Sequence, residues 1–227
     1  MTDKDQNIRP LLITIDGPAG AGKTTVSRGL ADRLGYRYID TGALYRGVAY
    51  EIIAGGIDPN DDAAIAGLLE GLDLRFARTS KGVRLMSGGS DITDAIRTPQ
   101  ITMLASAASA KPMVRLALLD LQRRLGAEKS AVFEGRDMGT VVFPNADVKF
   151  FLIADLSVRA RRRFEEFRET NPQALDDVLN DMKLRDKNDS SRAVAPMRPA
   201  DDAVTIDSTG MGVDAVLDAM IEYIRHH

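Results

Sequence analysis

A glycine-rich segment, GPAGAGKTT (Gly17–Thr25), follows a short apolar run and precedes a helical pattern. It fits the phosphate-binding P-loop pattern G-x-x-x-x-G-K-[ST] in the strand-to-helix setting that this pattern requires. Its glycines allow close backbone approach, so that loop amides and the following helix N-terminus can face phosphate oxygens. Lys23 is placed for the β- and γ-phosphates and the Thr24 hydroxyl for Mg²⁺. The predicted ATP-phosphate-binding residues are Gly17, Pro18, Ala19, Gly20, Ala21, Gly22, Lys23, Thr24 and Thr25, with Thr24 as the metal ligand.

Short apolar runs around this loop predict a parallel β-sheet. They cover residues 11–15, 36–39, 130–133, 148–153 and 203–206, with helical patterns between most of them. Alternating strands and helices are typical of βαβ units, so we expect an α/β fold with helices on both faces of the sheet. A later stretch differs, because LDLRFART and GVRLMSGG flank the predicted turn SKG and indicate antiparallel strands. We therefore expect a small β-containing insert in an α/β core.

Composition and charge narrow the classes of partner. The chain has 227 residues, a formal net charge of −3 and no Cys. Such a charge gives no basic field for a nucleic acid polymer, and the lack of Cys excludes disulfides and thiolate sites. The N-terminal segment MTDKDQNIRP has no apolar h-region, and no apolar stretch reaches membrane-spanning length. We expect a cytoplasmic monomer that acts on small molecules and binds neither nucleic acid nor membrane.

A P-loop alone does not define a reaction, because GTPases, ATPases and small-molecule kinases share it. A GTPase would also carry N-K-x-D late in the chain, and the sequence contains none. DSTG (207–210) matches D-x-x-G, but it follows the last predicted strand, where a γ-phosphate switch would not lie. An ATP-driven motor would usually be longer. A kinase of a small acceptor is the hypothesis that remains.

Charged residues follow two predicted strands, at the edge where ligands bind in doubly wound sheets. Glu134, Arg136 and Asp137 follow the third apolar run, and DTGALYR, which contains Arg46, follows the second. Arginine makes two-point contacts with phosphate oxygens, so Arg46 and Arg136 are candidates for a phosphorylated acceptor. Asp137 could accept hydrogen bonds from an amino group of that acceptor. The alternative is an ion pair of Arg136 with Asp137 or with a neighbouring helix end.

Two further groups of charges lie near the C-terminal third. Arg185, Asp189 and Arg192 recur at i, i+4 and i+7, and would share one face of a helix that continues to residue 192. In isolation, such a stripe is more often a solvated surface. The segment 155–172 begins as a helix would and concentrates arginines at 159–163. It is either a basic helix surface or a lid that stabilises charge on a phosphoryl group.

Together these motifs resemble the bacterial cytidylate kinases, a family of nucleoside monophosphate kinases. The resemblance is carried over nearly the whole chain by ITIDGPAGAGKTT, YIDTGALYR, AIRT, EGRDMGTVVFP, RARRR, RDKNDSSRAVAP and IDST. The stretch before AIRT resembles the extended CMP-binding insert of the longer members. The resemblance implies a single P-loop kinase unit with its core at about 8–58, 100–154 and 190–227, an acceptor-binding insert at about 59–99 and a helical lid at about 155–189.

The resemblance also implies the reaction and the site residues. ATP and CMP or dCMP would give ADP and CDP or dCDP, with Mg²⁺. An Asp accepts from the exocyclic amino group of cytosine, where uracil presents a carbonyl instead. The implied CMP-binding residues are Thr41, Arg46, Arg97, Ser106, Arg115, Arg136, Asp137, Arg185, Asp189 and Arg192. The implied catalytic residues are Lys23, Arg159, Arg163, Arg185 and Arg192.

The mechanism implied is in-line transfer by alignment and charge neutralisation, for which we assign no general base. Glu134 or Asp16 could hold a water on Mg²⁺ or be structural. Two other functions remain open: a P-loop kinase of another small acceptor, such as shikimate or dephospho-CoA, and a non-catalytic nucleotide-binding regulator. The positions of Ser106, Arg115 and Asp137 count against the first, and the intact P-loop and full set of arginines against the second.

Overall fold

The computed structural model describes residues 9–80, 82–168 and 173–226. Parts of the sequence predictions therefore lie outside the described residues, namely residue 8 of the predicted core, Lys81 of the SKG turn, residues 169–172 of the predicted lid and residue 227. The chain divides into two compact units. The first contains the described residues up to Ile39 and those from Leu125 onward, and the second runs from Asp40 to Arg124.

The described elements alternate along the chain much as the apolar pattern predicts. The strands are β1 (Leu12–Asp16), β2 (Arg37–Asp40), β3 (Leu74–Thr79), β4 (Gly82–Ser87), β5 (Ser90–Asp91), β6 (Ala131–Glu134), β7 (Val148–Ile153) and β8 (Val204–Asp207). The α-helices are α1 (Lys23–Leu34), α2 (Thr41–Ala54), α3 (Asp62–Glu70), α4 (Pro99–Ala108), α5 (Pro112–Gly126), α6 (Leu156–Phe167), α7 (Leu175–Ser191) and α8 (Val213–Arg225).

A five-stranded sheet in the order β2–β6–β1–β7–β8 forms the centre of the first unit. The pairs β6–β1, β1–β7 and β7–β8 run parallel. All five residues of β1 and the first five of β7 are buried, as expected for strands that helices cover on both faces. The five strands predicted from the apolar runs are thus confirmed within one or two residues at each end.

Apolar side chains from β1, β7, α1 and α8 form the core of this unit. Ile13, Leu30, Phe150 and Met220 are buried within it. Burial of a side chain of this size stabilises the fold by about 1.5–3 kcal/mol relative to leaving it exposed. This core supports the end of β1, from which the P-loop begins.

The second unit contains the predicted antiparallel strands. The pairing of β3 with β4 runs from Leu74 opposite Ser87 to Thr79 opposite Gly82, and β5 extends the sheet beside β4. This unit is larger than the predicted insert at 59–99, because α2, α4 and α5 contribute apolar side chains to the same core as the β-strands. The functional label of residues 59–99 as an acceptor-binding insert stays a prediction.

Helices α6 and α7 confirm helical structure in the region predicted as a helical lid, over 156–167 and 175–191. Ala160 of α6 and Met182 of α7 pack with Ala19 of the P-loop in a small apolar cluster. The helix ends at Ser191, and Arg192 has an extended backbone (φ −63°, ψ 140°). The prediction that Arg192 shares a helix face with Arg185 and Asp189 is therefore wrong. No helix among the described residues has the length and apolar composition of a membrane span.

Candidate active site

The P-loop connects β1 to α1 through a backbone that only glycine adopts easily. Gly17 has φ +140°, and a Cβ there would lie 2.1 Å from the carbonyl oxygen of Leu152 in β7. Gly22 has φ +92° and immediately precedes Lys23, the first residue of α1. The amides at the start of α1 have no partner one turn earlier in the helix, which makes such an end a favourable place for an anion.

Lys23 is buried, with 4% of its surface exposed, and its Nζ donates to the carbonyl oxygen of Pro18 at 2.7 Å. Burial, followed by the positive charges of Arg136 and Arg185, lowers its pKa from 10.5 to about 7, although Glu134 and Asp16 oppose the shift. Three cations therefore act on one another beside the P-loop. A polyphosphate bound there would supply the negative charge that keeps Lys23 protonated.

Glu134, at the end of β6, joins two hydroxyl groups. Thr24 Oγ1 donates to Glu134 Oε1 at 2.8 Å, and Tyr38 Oη donates to Glu134 Oε2 at 2.6 Å. The guanidinium of Arg28 lies 5.2 Å from the ring centre of Tyr38. Because the Thr24 hydroxyl donates its hydrogen bond to the carboxylate, the lone pairs of the Thr24 oxygen remain available to a cation.

Asp16, at the end of β1, has a different environment. Its Oδ1 and Oδ2 accept from the backbone amides of Met138 and Gly139 at 2.9 and 2.8 Å. Burial raises its pKa to about 6, against the lowering effect of these two hydrogen bonds. Asp16 therefore anchors the turn that follows β6, whereas Glu134 holds the predicted metal ligand.

Oxygen donors of this kind suit Mg²⁺, which is usually bound by few protein ligands together with phosphates and water. Within residues 9–80, 82–168 and 173–226, no cluster of three or more His, Cys, Asp or Glu is arranged to hold a metal ion. The Thr24 hydroxyl with Glu134 behind it fits a cation that also binds nucleotide phosphates.

The turn after β6 carries two buried ion pairs to the segment around the end of α7. Arg136 Nε donates to Asp189 Oδ2 at 3.0 Å, and Arg192 Nη2 lies 3.4 Å from Asp137 Oδ1. Arg192 Nε also donates to the carbonyl oxygen of Ala195 at 2.6 Å. Burial alone would lower the pKa of Arg136, but Asp189 and Glu134 raise it above its usual value. Of the two ion pairs considered as alternatives for Arg136, the structure shows the one with a neighbouring helix end, at Asp189.

The predicted lid arginines occupy different surroundings. Arg159 is buried, donates from Nη1 to the Ala19 carbonyl oxygen at 3.1 Å and pairs with Asp186 at 2.7 Å. Arg163 pairs with Glu166 of its own helix at 3.3 Å, with 34% of its side chain exposed. Arg159 therefore contacts the P-loop backbone, and Arg163 is partly exposed on α6.

In the second unit, Asp40 caps α2 and interacts with two arginines. Its Oδ1 accepts from the Ala43 amide at 3.1 Å, and its Oδ2 accepts from Arg46 Nη2 at 2.6 Å. Burial would raise the pKa of Asp40, but Arg46, the Ala43 amide and the charge of Arg97 together lower it. Arg46 Nε is buried without a hydrogen-bond partner in the part of the chain that the structure describes. Two arginines thus surround one carboxylate here.

The remaining predicted residues of the second unit lie on or near α4 and α5. Arg115 donates to the Ser109 carbonyl oxygen at 3.2 Å, and its guanidinium lies 5.7 Å from the ring centre of Tyr45. Ser106 Oγ is buried without a hydrogen-bond partner among the described residues. Thr41, the first residue of α2, is 1% exposed. The buried Ser106 hydroxyl, which lacks a partner among the described residues, favours a ligand that supplies one.

The predicted site residues thus form two groups. The first unit brings the P-loop together with Arg136, Asp137, Asp189 and Arg192, and the second brings Arg46 close to Asp40. Sequence reasoning did not assign Tyr38, Arg162 or Ser208, although all three contact the P-loop directly or through one side chain. Ser208 follows β8, so the rule that ligands bind beyond strand ends could have identified it.

Comparison with known proteins gives results for both sequence and fold. The model of the cytidylate kinase family matches residues 13–226. A cytidylate kinase of Geobacter sulfurreducens is 50% identical over 218 residues, which cover 96% of this chain and 94% of that protein. One from an Exiguobacterium species is 44% identical and covers 96% and 97%. A solved structure of an uncharacterized protein from Eubacterium ventriosum has a TM-score of 0.52 at 16% identity and covers 96% of this chain and 99% of that one, which shows the fold alone.

Proposed function

This chain belongs to the cytidylate kinase family and phosphorylates CMP or dCMP with ATP, and we propose which of its residues bind each substrate and which stabilise the transferring phosphoryl group. The observation that supports the assignment is the group of cations at the P-loop. Burial lowers the pKa of Lys23 the most, and the positive charges of Arg136 and Arg185 lower it further, against the opposing charges of Glu134 and Asp16. Positive charge concentrated at a helix N-terminus suits the triphosphate of ATP and the charge that develops during phosphoryl transfer.

For the donor, the P-loop amides and Lys23 bind the ATP phosphates, and the Thr24 hydroxyl ligates Mg²⁺. The ion neutralises charge on the phosphates when it is bound. Glu134 accepts a hydrogen bond from the Thr24 hydroxyl, so that the lone pairs of the Thr24 oxygen would be available to the cation. Arg159, Arg163, Arg185 and Arg192 stabilise the transferring phosphoryl group in this assignment.

For the acceptor, the first unit contributes Arg136, Asp137, Asp189 and Arg192. Asp189 accepts from Arg136 Nε, and the Gly135 carbonyl oxygen accepts from Arg136 Nη1. We assign the remaining Nη2 to the CMP phosphate. Asp137 accepts from the amino group of cytosine, and the pair with Arg192 holds its carboxylate in place.

The second unit contributes the other predicted acceptor contacts. Arg46 and Arg97 bind the CMP phosphate, whereas Ser106 and Arg115 donate to cytosine acceptors, and Thr41 lies beside them in this assignment. The buried Ser106 hydroxyl and Arg46 Nε, which have no hydrogen-bond partner among the described residues, support it. The chain's family membership favours CMP over shikimate, over dephospho-CoA and over a purely regulatory role. A cytoplasmic location and a monomeric state stay predictions.

The experiment is ADP formation from ATP and Mg²⁺ with CMP, dCMP, UMP, AMP or shikimate as acceptor. Wild type is compared with Asp137→Ala and with Asp202→Ala, a control whose carboxylate is 66% exposed and pairs with Lys149. We expect turnover of CMP and dCMP that falls at least about 100-fold in Asp137→Ala and stays near wild type in Asp202→Ala. Failure of every nucleotide to accept phosphate would refute the function. Equal turnover of CMP and UMP, unaffected by the substitution, would refute only the role of Asp137.

A further inference from the structure

The segment Asp207–Thr209, with the sequence DST, begins at the last residue of β8 and has no role in the assignments above. Asp207 Oδ1 accepts from the Thr209 amide at 2.9 Å and from the Thr209 hydroxyl at 2.6 Å. Thr209 Oγ1 in turn accepts from the Asp155 amide at 2.9 Å, next to the start of α6. Thr209 therefore fixes the segment next to the start of α6. Ser208 is the central residue of the segment, between Asp207 and Thr209.

Ser208 is 3% exposed and contacts the P-loop backbone directly. Its Oγ lies 3.1 Å from the Ala21 carbonyl oxygen and 3.1 Å from the Ile153 carbonyl oxygen. The Ile153 oxygen already accepts from the Ser208 amide at 2.8 Å. Because a hydroxyl has one proton to donate, the Ala21 oxygen is the acceptor that most needs it.

Arg162 of α6 holds Ser208 from the other side. Its Nη1 donates to Ser208 Oγ at 3.2 Å, and its Nη2 donates to the Ser208 carbonyl oxygen at 2.8 Å. This two-point contact fixes the position of the hydroxyl. Because Nη1 donates to the Ser208 oxygen, the hydroxyl proton points away from Arg162 and is available to the Ala21 oxygen. A chain of hydrogen bonds thus runs from Arg162 through Ser208 to Ala21.

The direction of the Ala21 carbonyl determines the direction of an amide. In a planar trans peptide the C=O of one residue and the N–H of the next point to opposite sides, so fixing the Ala21 oxygen directs the Gly22 amide the other way. Gly20 and Gly22, with φ +74° and +92°, flank this residue, and glycine offers little resistance to a change of backbone angles. Arg159 does the same for the Ala19–Gly20 peptide, since it binds the Ala19 oxygen.

We propose that Ser208, held by Arg162, is a positioning residue for ATP, because it fixes the Ala21–Gly22 peptide so that the Gly22 amide faces the phosphates. The inference rests on the proposed function for the identity of the nucleotide. It extends the ATP site to residues that do not contact ATP in this scheme and gives the DST segment its role.

The first test compares Ser208→Ala with Ser87→Ala. Ser87 is the matched control, because it is also buried and its hydroxyl donates to Glu51 Oε1 at 2.6 Å. ATP affinity is measured by titration calorimetry, KM for ATP and CMP by ADP formation, and stability by thermal unfolding. We expect Ser208→Ala to raise the Kd and KM for ATP about five- to tenfold with KM for CMP within about twofold, as the loss of one oriented hydrogen-bond donor implies. Ser87→Ala should lower Tm without a change in ATP affinity.

An ATP affinity of Ser208→Ala equal to that of wild type, with a Tm lowered as in Ser87→Ala, would overturn the proposal and leave Ser208 a structural role. The affinity measurement does not depend on CMP turnover. A wild-type protein that binds ATP but phosphorylates no nucleotide would therefore refute the proposed function and still test Ser208.

The second test asks whether Arg162 acts through Ser208. Arg162→Met and the double variant Arg162→Met/Ser208→Ala complete a cycle with the first substitution. We expect the double variant to bind ATP within about twofold of Ser208→Ala alone, because Arg162 acts on the Ala21 peptide through the Ser208 hydroxyl, and its other contact is to the backbone of residue 208 and not to the P-loop. Independent, multiplicative losses of affinity would overturn the part assigned to Arg162.

Discussion

The P-loop and the turn after β6 both present charge at the ends of neighbouring strands, but they are built differently. In the P-loop, Lys23 bonds to Pro18 only five residues away, and glycines set the backbone. In the turn, Arg136 and Asp137 pair with residues 53 and 55 positions later in the chain. The contact of Lys23 is therefore local, whereas the ion pairs of the turn form only when α7 and the segment after it have folded into place.

This difference predicts that substitutions in the two regions will separate donor from acceptor effects. A change at the P-loop should act on ATP and on the chemical step, and a change at the turn should act on CMP and on stability. Four substitutions, from the largest expected effect to the smallest, test that separation.

Lys23→Met should lower kcat at least about 100-fold, because it removes the cation assigned to the transferring phosphoryl group. The pKa of Lys23 is lowered to about 7 in the folded chain, from 10.5. Between these values the unfolded state binds more protons, so wild-type stability rises with pH there and the variant should lack that rise. Thermal unfolding across pH 6–10 measures this. Lys149→Met, at a buried lysine paired with Asp202, is the control that should lose stability but keep its kcat. A normal rate in Lys23→Met would contradict the P-loop assignment.

Asp189→Asn should raise KM for CMP about tenfold or more and lower the free energy of unfolding by about 3 kcal/mol, since it leaves a buried arginine without its carboxylate. The Asp189 side chain is 6% exposed and that of Arg136 is 19% exposed. Steady-state kinetics and denaturant unfolding measure the two effects. Asp214→Asn, at a carboxylate that is 88% exposed and pairs with Arg33, itself 35% exposed, should change stability by less than about 1 kcal/mol. An equal rise in KM for ATP would show that the two regions do not act separately.

Tyr38→Phe should raise the Mg²⁺ concentration needed for half-maximal activity about three- to tenfold, because Glu134 loses one of the hydroxyls that hold it. Binding of Mn²⁺ with ATP, followed by electron paramagnetic resonance, measures the same effect without turnover. Tyr36→Phe is the matched control, because the Tyr36 hydroxyl donates to the Arg9 carbonyl oxygen. If both variants bind the metal like wild type, Tyr38 does not position Glu134.

Ser106→Ala should raise KM for CMP about two- to fivefold and leave stability unchanged or slightly higher, because the removed hydroxyl has no hydrogen-bond partner among the described residues. Ser109→Ala, whose hydroxyl donates to the Ser106 carbonyl oxygen at 2.8 Å, should instead lower stability. Kinetics with CMP and thermal unfolding distinguish the two. A loss of stability in Ser106→Ala with unchanged KM would make its role structural.

Much of the first unit follows from the sequence alone. Five apolar runs predict the five strands of the parallel sheet, because strands buried on both faces need continuous apolar residues. The segment GPAGAGKTT predicts the P-loop, because its glycines allow the backbone that the loop adopts. The hairpin in the second unit is predicted as well, although the extent of the unit that contains it is not. Helices α2, α4 and α5 share its core, and local pattern gives no information on that packing.

The sequence by itself therefore determined the order of strands and helices, the P-loop and the set of charged residues at the strand ends. The tertiary structure decided which carboxylate meets which arginine. Arg192 lies beyond the end of α7 and pairs with Asp137. Glu134 accepts hydrogen bonds from Thr24 and Tyr38. Ser208 contacts Ala21, which is 187 residues away in the chain. Periodicity and motifs describe residues that are close in sequence, whereas these contacts depend on how strands and helices pack, and for that reason they appear only in the folded chain.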